Sequence, residues 1–303
     1  MDRSQFNSLN SDSFMRIASS YDTIYLRPDT FSNNDNHFTM HYIKECPDPS
    51  GNKVLEVGCG TGDFSVYLSN FGYNVTGIDL SDNMLLVARN KLSILKKSIS
   101  QRKELMKNPD FMMDPNAKIL LSTVEPKLKF IKDNILKINT INEKYNIVSA
   151  LDLISYIHPD DFSSFIAEIS NLIYKTGIAV FSFKTENYFK YNTDTKFEDS
   201  LFNCIFKHSF DLDTKYYHTA CEFQKSPAVK KPFSINFTEY LYSINTLIKV
   251  LSDKGMNVIK IFPNQQIFSN NDCDTNSICD AIESTYSMPN GIKNVILIAQ
   301  KLT

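Results

Sequence analysis

The sequence predicts an α/β protein built on one doubly wound, mostly parallel sheet of seven strands. Short β-rich segments alternate along the chain with amphipathic segments of helical spacing, which indicates a sheet with helices on both faces. A turn of closely spaced glycines follows the first strand and precedes the first helix of this pattern. The chain of 303 residues can bury one substantial core, so we expect a single domain covering residues 1–303.

Seven segments have the length and composition of strands of this sheet. They are residues 53–57, 74–78, 129–131, 147–150, 178–183, 258–262 and 294–299. Four segments are predicted as helices, at residues 63–71, 84–91 and beyond, 160–174 and 241–251. Apolar residues in the third helix have the spacing of one buried face. Residues 96–126, 184–232 and 265–293 do not fit this minimal pattern.

Charge and composition exclude several classes of partner. The formal net charge is -2 and arginine occurs only at positions 3, 16, 27, 89 and 102, so we expect no nucleic acid and no anionic membrane as partner. No segment approaches the length of an apolar span, and the first residues lack the apolar core of a signal peptide. Cys273 and Cys279 could form a metal pair, but no His or Cys cluster completes such a site. We therefore expect a cytoplasmic protein without a metal.

The sequence VLEVGCGTG at residues 54–62 carries the clearest functional signal. Glycines this close allow a sharp turn that brings backbone N–H groups against a ligand. Asp79 ends the next strand, where a carboxylate can accept both hydroxyls of a ribose. The glycine spacing is GxGxG, whereas the dinucleotide fingerprint of dehydrogenases requires its third glycine one residue later. The pattern therefore favours a nucleoside-containing ligand that is not a nicotinamide dinucleotide.

This turn and the following strand end, YNVTGIDLS, resemble the corresponding motifs of class I SAM-dependent methyltransferases. The resemblance implies a Rossmann-like methyltransferase fold with an antiparallel last strand, S-adenosyl-L-methionine as cofactor and a small-molecule substrate. It implies that Glu56 orients the turn, that Asp79 holds the ribose and that Leu80 packs on adenine. It also implies that the backbone passes along the methionine part of the cofactor at Gly58, Cys59 and Gly60.

Two later segments match further parts of the same family. Asp133 and Asn134 resemble its acidic loop after strand three, which implies that they bind the adenine edge. The sequence YNIVSALDLISY at residues 145–156 resembles strand four and its continuation. That match implies that Leu151, with its neighbours Ala150 and Asp152, lines the methionine end of the cofactor.

Candidates for the substrate side come first from the N-terminus, where residues 1–45 are predicted as a helical lid. Tyr21, Tyr25 and Arg27 belong to a segment that resembles the YDxxY element closing over the cofactor in small-molecule members. After strand four, Tyr156 and His158 are the candidate catalytic residues. His158 has an alternative role, because it precedes Pro159 and could cap the next helix.

The segment at residues 184–232 is long and rich in Phe and Tyr, and it is predicted as a substrate-capping insert. Alternation at residues 215–223 indicates a strand, one half of a hairpin. Tyr216 and Tyr217 are its candidate substrate-binding residues, although its aromatic side chains could equally form a satellite core. His208 and His218 could serve as bases if the insert reaches the methyl group.

Two alternatives remain open for the chain as a whole. The first is a SAM-binding enzyme of this fold with a repurposed, non-methylating activity, such as that of a cyclase or isomerase. Motifs that bind the cofactor do not identify the reaction, so they do not exclude this alternative. A non-catalytic partner subunit would keep the fold and lose the pocket.

Overall fold

The computed structural model describes residues 1–25, 39, 43, 51–105, 125–138, 140–185, 188, 194–198, 200–263 and 294–302. Its strands are β1 Lys53–Val57, β2 Asn74–Asp79, β3 Leu128–Lys132, β4 Tyr145–Ala150, β5 Ile173–Lys184, β6 Thr195–Glu198, β7 Asn203–Asp211, β8 Tyr216–Phe223, β9 Phe233–Tyr240, β10 Met256–Pro263 and β11 Asn294–Lys301. Its α-helices are α1 Arg3–Ile17, α2 Tyr21–Tyr25, α3 Asp63–Asn70, α4 Asp82–Leu105, α5 Pro159–Leu172 and α6 Ile244–Asp253.

The main sheet has seven strands in the order β10-β11-β5-β4-β1-β2-β3. Strands β1 to β5 are parallel to one another, and β11 runs antiparallel to both β5 and β10. The strand order reverses at β1, which pairs with β2 on one side and β4 on the other. Ligands of open α/β sheets bind beyond the carboxyl ends of the strands at such a reversal. The predicted seven-stranded sheet with an antiparallel last strand is confirmed.

The central strands are apolar on both faces because helices cover both. All six residues of β4 are buried, as are the last four of β1. Phe165 of α5 and Leu247 of α6 belong to the core on one side of the sheet. Leu68 of α3 and Leu85 of α4 belong to the core on the other. This two-sided burial is the packing of a parallel sheet between helices.

Several predicted boundaries are wrong, and local geometry explains each difference. The helix predicted to reach Tyr174 ends at Leu172, because Ile173 already pairs with Tyr145 in β5. Thr176, outside the strand predicted at residues 178–183, lies inside β5 with φ 67°, at an irregularity in the register with β4. The helix predicted from residue 241 begins at Ile244, because Ser243 caps it and accepts the N–H of Thr246.

A second sheet, here called the cap sheet, is antiparallel in the order β6-β7-β8-β9. The strand predicted at residues 215–223 is confirmed as β8, one half of a hairpin with β7. The insert predicted to end at residue 232 continues through β9, Phe233–Tyr240, which pairs with β8 along its whole length. Residues 106–124 and 264–293, in the two other irregular segments, lie outside the described residues.

Helix α1 covers the outer edge of the cap sheet. The side-chain amide of Asn10 donates to the carbonyl of Thr238 at 2.7 Å and accepts its N–H at 2.8 Å. Ser13 makes the same pair of contacts with the backbone of Asn236. The backbone groups of an exposed edge strand can pair with other chains. Here Asn10 and Ser13 bind such groups of β9 in place of a neighbouring strand. In the part of the chain that the structure describes, no helix is both long and apolar enough to span a bilayer.

Candidate functional site

A cavity of about 750 Å³ opens beyond the carboxyl ends of β1, β2, β3 and β4. The turn after β1 and the segments following the other three strands form its floor. One face of the cap sheet and helices α1 and α2 form the rest of its wall. The cavity therefore lies at the strand-order reversal, where this type of sheet binds ligands.

The glycine turn presents bare backbone to this cavity. Gly58 and Gly60 have φ of 68° and 52°, the left-handed region that favours glycine. A Cβ atom at Gly58 would lie 2.9 Å from the side chain of Leu153, whereas one at Gly60 would meet nothing within 4 Å. Gly60 thus lines open space, and a ligand can approach its backbone closely.

Asp79 joins the turn to the end of β2. Its Oδ2 accepts the N–H of Gly60 and its Oδ1 accepts the N–H of Ser81, both at 2.8 Å. Burial raises the pKa of this carboxyl, while the backbone donors oppose the rise. Each carboxylate oxygen has a second lone pair, so Asp79 can hold the turn and still accept ligand hydroxyls.

Glu56, in β1, and Cys59, in the turn itself, do not line the cavity. Glu56 is 5% exposed and accepts the hydroxyl of Ser65. Burial raises the pKa of Glu56 to about 8, and the neighbouring carboxylates of Asp63 and Asp79 add to the rise. The N–H of Cys59 donates to the carbonyl of Ile78 at 2.9 Å, so the predicted backbone contact of Cys59 with the cofactor is not supported.

Leu80, Asp133 and Asn134 line the same end of the cavity. Leu80 is 54% exposed although it is apolar, which suits a residue that packs against a flat ligand. The Asp133 carboxylate accepts the N–H of Asn134 at 2.8 Å and both the N–H and the hydroxyl of Thr140. Asp133 therefore fixes the loop after β3 as well as facing the cavity.

A family model described as a methyltransferase domain matches residues 32–216, more than half of the chain. The chain belongs to the methyltransferase domain family. The family resemblance predicted from the glycine turn and the end of β2 is confirmed. The match includes the turn, Asp79 and the first half of the cap sheet.

Sequence similarity to curated methyltransferases is confined to short segments. The ubiquinone biosynthesis O-methyltransferase of Hydrogenovibrio crunogenus is 41% identical over 54 residues, 18% of this chain and 22% of that protein. The chain spans about a fifth of the length of the first curated relatives it matches.

Solved structures match over nearly the whole chain. A SAM-dependent methyltransferase from Clostridium acetobutylicum has a TM-score of 0.65 at 17% identity, covering 95% of this chain and 98% of that one. The amino pentose methyltransferase CalS10 from Micromonospora echinaspora has a TM-score of 0.58 at 11% identity, covering 93% and 96%. Similarity at this identity shows the fold, and it confirms the predicted Rossmann-like methyltransferase architecture.

The cap sheet contributes one of its two faces to the cavity. Alternate residues of a strand point to opposite faces, so neighbouring residues in β8 have different surroundings. Tyr217 lines the cavity, but Tyr216 lies on the other face, with its hydroxyl 3.4 Å from Nε2 of His158. Tyr216 therefore does not line the cavity, contrary to the substrate contact predicted for it. The cap residues lining the cavity are Thr195, Phe206, His208, Tyr217, Thr219, Phe237 and Glu239.

His158 caps helix α5. It is 6% exposed, and its Nδ1 accepts the N–H of Asp160 at 3.3 Å as the N-cap of α5. Its ring packs edge-on against Phe6 at 5.5 Å, and it is not part of the cavity lining. The catalytic role predicted for His158 is corrected to the capping role, because its position gives it no access to a ligand.

Four further residues of the cavity lining are Tyr21, Leu151, Asp152 and Tyr156. Burial raises the pKa of Tyr21, and the negative charge of Asp152 adds to the rise, so the phenol stays protonated. Asp152 has φ 51° and its N–H donates to the hydroxyl of Ser182 at 2.8 Å. A non-glycine residue in this conformation needs support from its surroundings, and Ser182 supplies it.

The lid residues predicted from the YDxxY element are only partly described. Asp22 pairs with Lys91 of α4 at 2.7 Å and accepts the hydroxyl of Thr61 at 2.6 Å, which fixes α2 beside the glycine turn. The side chain of Tyr25 and the whole of Arg27 lie outside the described residues.

The sequence did not predict a buried ion pair between the two sheets. Lys184, at the end of β5, contacts Glu239 of β9 at 2.9 Å, and its ammonium lies 4.9 Å from the ring centre of Tyr188. Burial opposes the charge of Lys184, but Glu239 raises its pKa above the ordinary value. The alternation in FSINFTEY, residues 233–240, would have indicated the strand that carries Glu239.

Proposed function

We propose that this methyltransferase transfers the methyl group of S-adenosyl-L-methionine to a small-molecule acceptor held beneath the cap sheet. The observation that carries the proposal is that one cavity reaches from Gly60 and Asp79 to Tyr217 and Phe237 of the cap. A cofactor at one end and an acceptor at the other would meet inside it. Displacement at a methyl carbon requires both reactants to be held in line and shielded from water.

The residues at the floor fit the cofactor. Asp79 accepts the ribose hydroxyls while it holds the N–H of Gly60, and the exposed side chain of Leu80 packs on adenine. Asp133 and Asn134 bind the adenine edge, and Leu151 borders the methionine part. Bound SAM supplies an electrophilic methyl group on a sulfonium. The protein orients it, and Tyr21 with α1 and α2 excludes water above it.

The residues under the cap suit an acceptor with an apolar or aromatic body. Phe14, Tyr156, Phe206, Tyr217 and Phe237 line this end of the cavity. The charges of Lys184 and Glu239 cancel there because the two form an ion pair. A roofed cavity of this volume fits a small molecule and not a base within a nucleic-acid duplex. Among the similar proteins, one is named an O-methyltransferase and another an amino pentose methyltransferase, so family membership leaves oxygen and nitrogen acceptors open.

We also propose a cytoplasmic location. The cysteines in the described part of the chain, Cys59, Cys204 and Cys221, form no disulfide bond, as is usual for proteins of a reducing compartment.

The test combines SAM binding with product analysis. Calorimetry should detect SAM binding to the wild type, and turnover should release one S-adenosylhomocysteine for each methylated product. An enzyme with a repurposed activity would bind SAM and return it unchanged, and a non-catalytic subunit that lost the pocket would not bind it. Either result would refute methyl transfer.

A further inference from the structure

We infer that His208 accepts the proton released by the attacking atom, and that the acceptor is therefore a group that carries a proton on that atom, such as a hydroxyl or an amine. The inference rests on the proposed methyl transfer. A carboxylate or thioether acceptor has no proton to lose, so a positioned base would have no task with it. Of the three histidines that the structure describes, His208 alone lines the cavity.

The imidazole of His208 is held in one orientation. Its Nδ1 lies 3.1 Å from the hydroxyl oxygen of Thr219, its partner residue across β7 and β8. The ring lies nearly parallel to those of Phe206 and Tyr217, with centroids at 6.5 and 5.6 Å and interplanar angles of 7° and 14°. Within the described residues, Nε2 has no hydrogen-bond partner. That nitrogen is available to a group in the cavity.

The surroundings of His208 favour the neutral imidazole that a base requires. Burial lowers the pKa of His208, and the positive charge of Lys184 on β5 lowers it further, against an opposing effect of Asp194. Glu239 on β9 also lines this part of the cavity, but its charge is paired with Lys184. If Nδ1 carries the single proton and donates it to Thr219, the lone pair of Nε2 is free to accept another.

His218 has the same chemistry without access to the cavity. Its Nδ1 lies 3.0 Å from the hydroxyl of Thr238, and burial lowers its pKa too. It belongs to the face of the cap sheet opposite His208, because Thr219, the partner of His208, is its neighbour along β8. His218 is therefore a matched control for His208: it is a histidine of the same sheet that does not line the cavity.

The step balances in atoms and charge. The acceptor atom forms a bond to the methyl carbon as the carbon–sulfur bond breaks, and sulfur keeps the electron pair. The acceptor proton passes to Nε2 of His208. The positive charge of the sulfonium is thereby replaced by that of an imidazolium, which releases its proton to solvent after the products leave.

The first experiment needs no acceptor. Nitrogen-15 NMR of the histidine rings, with S-adenosylhomocysteine bound, reports which ring nitrogen carries the proton. We expect His208 at pH 7.5 as the neutral tautomer with the proton on Nδ1. Thr219→Val should move the proton toward Nε2, and Thr238→Val should leave His208 unchanged. An imidazolium at pH 7.5, or a wild-type proton on Nε2, would overturn the assignment.

The second experiment compares His208→Asn with His218→Asn, using S-adenosylhomocysteine release with a panel of phenols and primary amines. General-base catalysis is worth roughly 100-fold or more, so kcat should fall by about that factor for His208→Asn only. SAM affinity should stay within about twofold, and the acidic limb of the kcat pH profile should disappear. Equal losses in both variants would refute the base. If none of the panel compounds is methylated, that result counts against the proposed function. The NMR experiment tests the protonation state of His208 independently of turnover.

Discussion

Lys184 and Glu239 form a buried ion pair that connects the main sheet to the cap sheet. Their charged groups lie 2.9 Å apart, and the side chains of Glu239 and Lys184 are 5% and 20% exposed. Removing one partner of such a pair leaves an uncompensated buried charge, which costs more than the pair itself contributes. Each residue therefore compensates the charge of the other where the two sheets meet.

Lys184→Met should lower the free energy of unfolding by roughly 3 kcal/mol, because it leaves the Glu239 carboxylate buried and unpaired. The double variant Lys184→Met with Glu239→Leu should recover most of that loss. Urea denaturation measures both. Lys132→Met removes the exposed pair with Asp82 and should change stability by less than about 1 kcal/mol. A double variant no more stable than Lys184→Met would contradict the argument.

Asp79→Ala should weaken SAM binding by roughly 2–4 kcal/mol, the loss of charge-assisted hydrogen bonds to the ribose and of the support for Gly60. SAM binding should also weaken as pH falls through the raised pKa of Asp79, because the protonated carboxyl accepts less well. Calorimetry at two pH values tests both effects. Asp82→Ala, at the exposed start of α4, is the control, and Asp79→Ala affinity within threefold of wild type would refute the motif assignment.

Asp133→Asn should weaken SAM binding without loss of helical circular dichroism, because it replaces a carboxylate oxygen by an amide donor. A second variant, Thr140→Val, distinguishes contact of Asp133 with adenine from its role in holding the loop after β3. Thr140→Val removes the hydroxyl that contacts Asp133 but leaves the carboxylate at the cavity. If Thr140→Val weakens binding as much as Asp133→Asn, Asp133 acts by holding its loop and not by contacting adenine.

Tyr217→Ala should reduce turnover at nearly unchanged SAM affinity, because Tyr217 lines the acceptor end of the cavity. Tyr216→Ala should lower the melting temperature by several degrees, as large-to-small changes in buried positions do, with normal turnover per folded molecule. The two tyrosines are adjacent in β8 and both are buried, so each is the other's control. Equal turnover in the two variants would refute the acceptor role of Tyr217.

Glu56 should make the folded state less stable as pH rises. Its folded pKa of about 8 exceeds the ordinary value of 4.5, so the folded protein binds the proton more tightly than the unfolded chain. The associated stability is fully present below pH 4.5 and is lost as pH rises to about 8. Urea denaturation at pH 5 and pH 8 should show this decrease, which Glu56→Gln should reduce. The same decrease in both proteins would exclude Glu56 as its source.

The cofactor end of the site was predictable because its determinants are local. Residues 54–62 and 74–81 each form a strand and the turn that follows, and their sequence specifies both. The acceptor end depends on which strands pair. Nothing local places Lys184 against Glu239, and a shift of one residue in β8 decides whether Tyr216 or Tyr217 faces the cavity. The role of His158 was ambiguous because the sequence does not show the tertiary surroundings of its ring, and these decide between capping and catalysis.

The contacts of Asn10 and Ser13 with β9 have a consequence for the order of folding. They join residues separated by 228 and 223 positions, so α1 leaves the ribosome long before its partner strand exists. Helix α1 can therefore dock on this edge only after β9 has been synthesised.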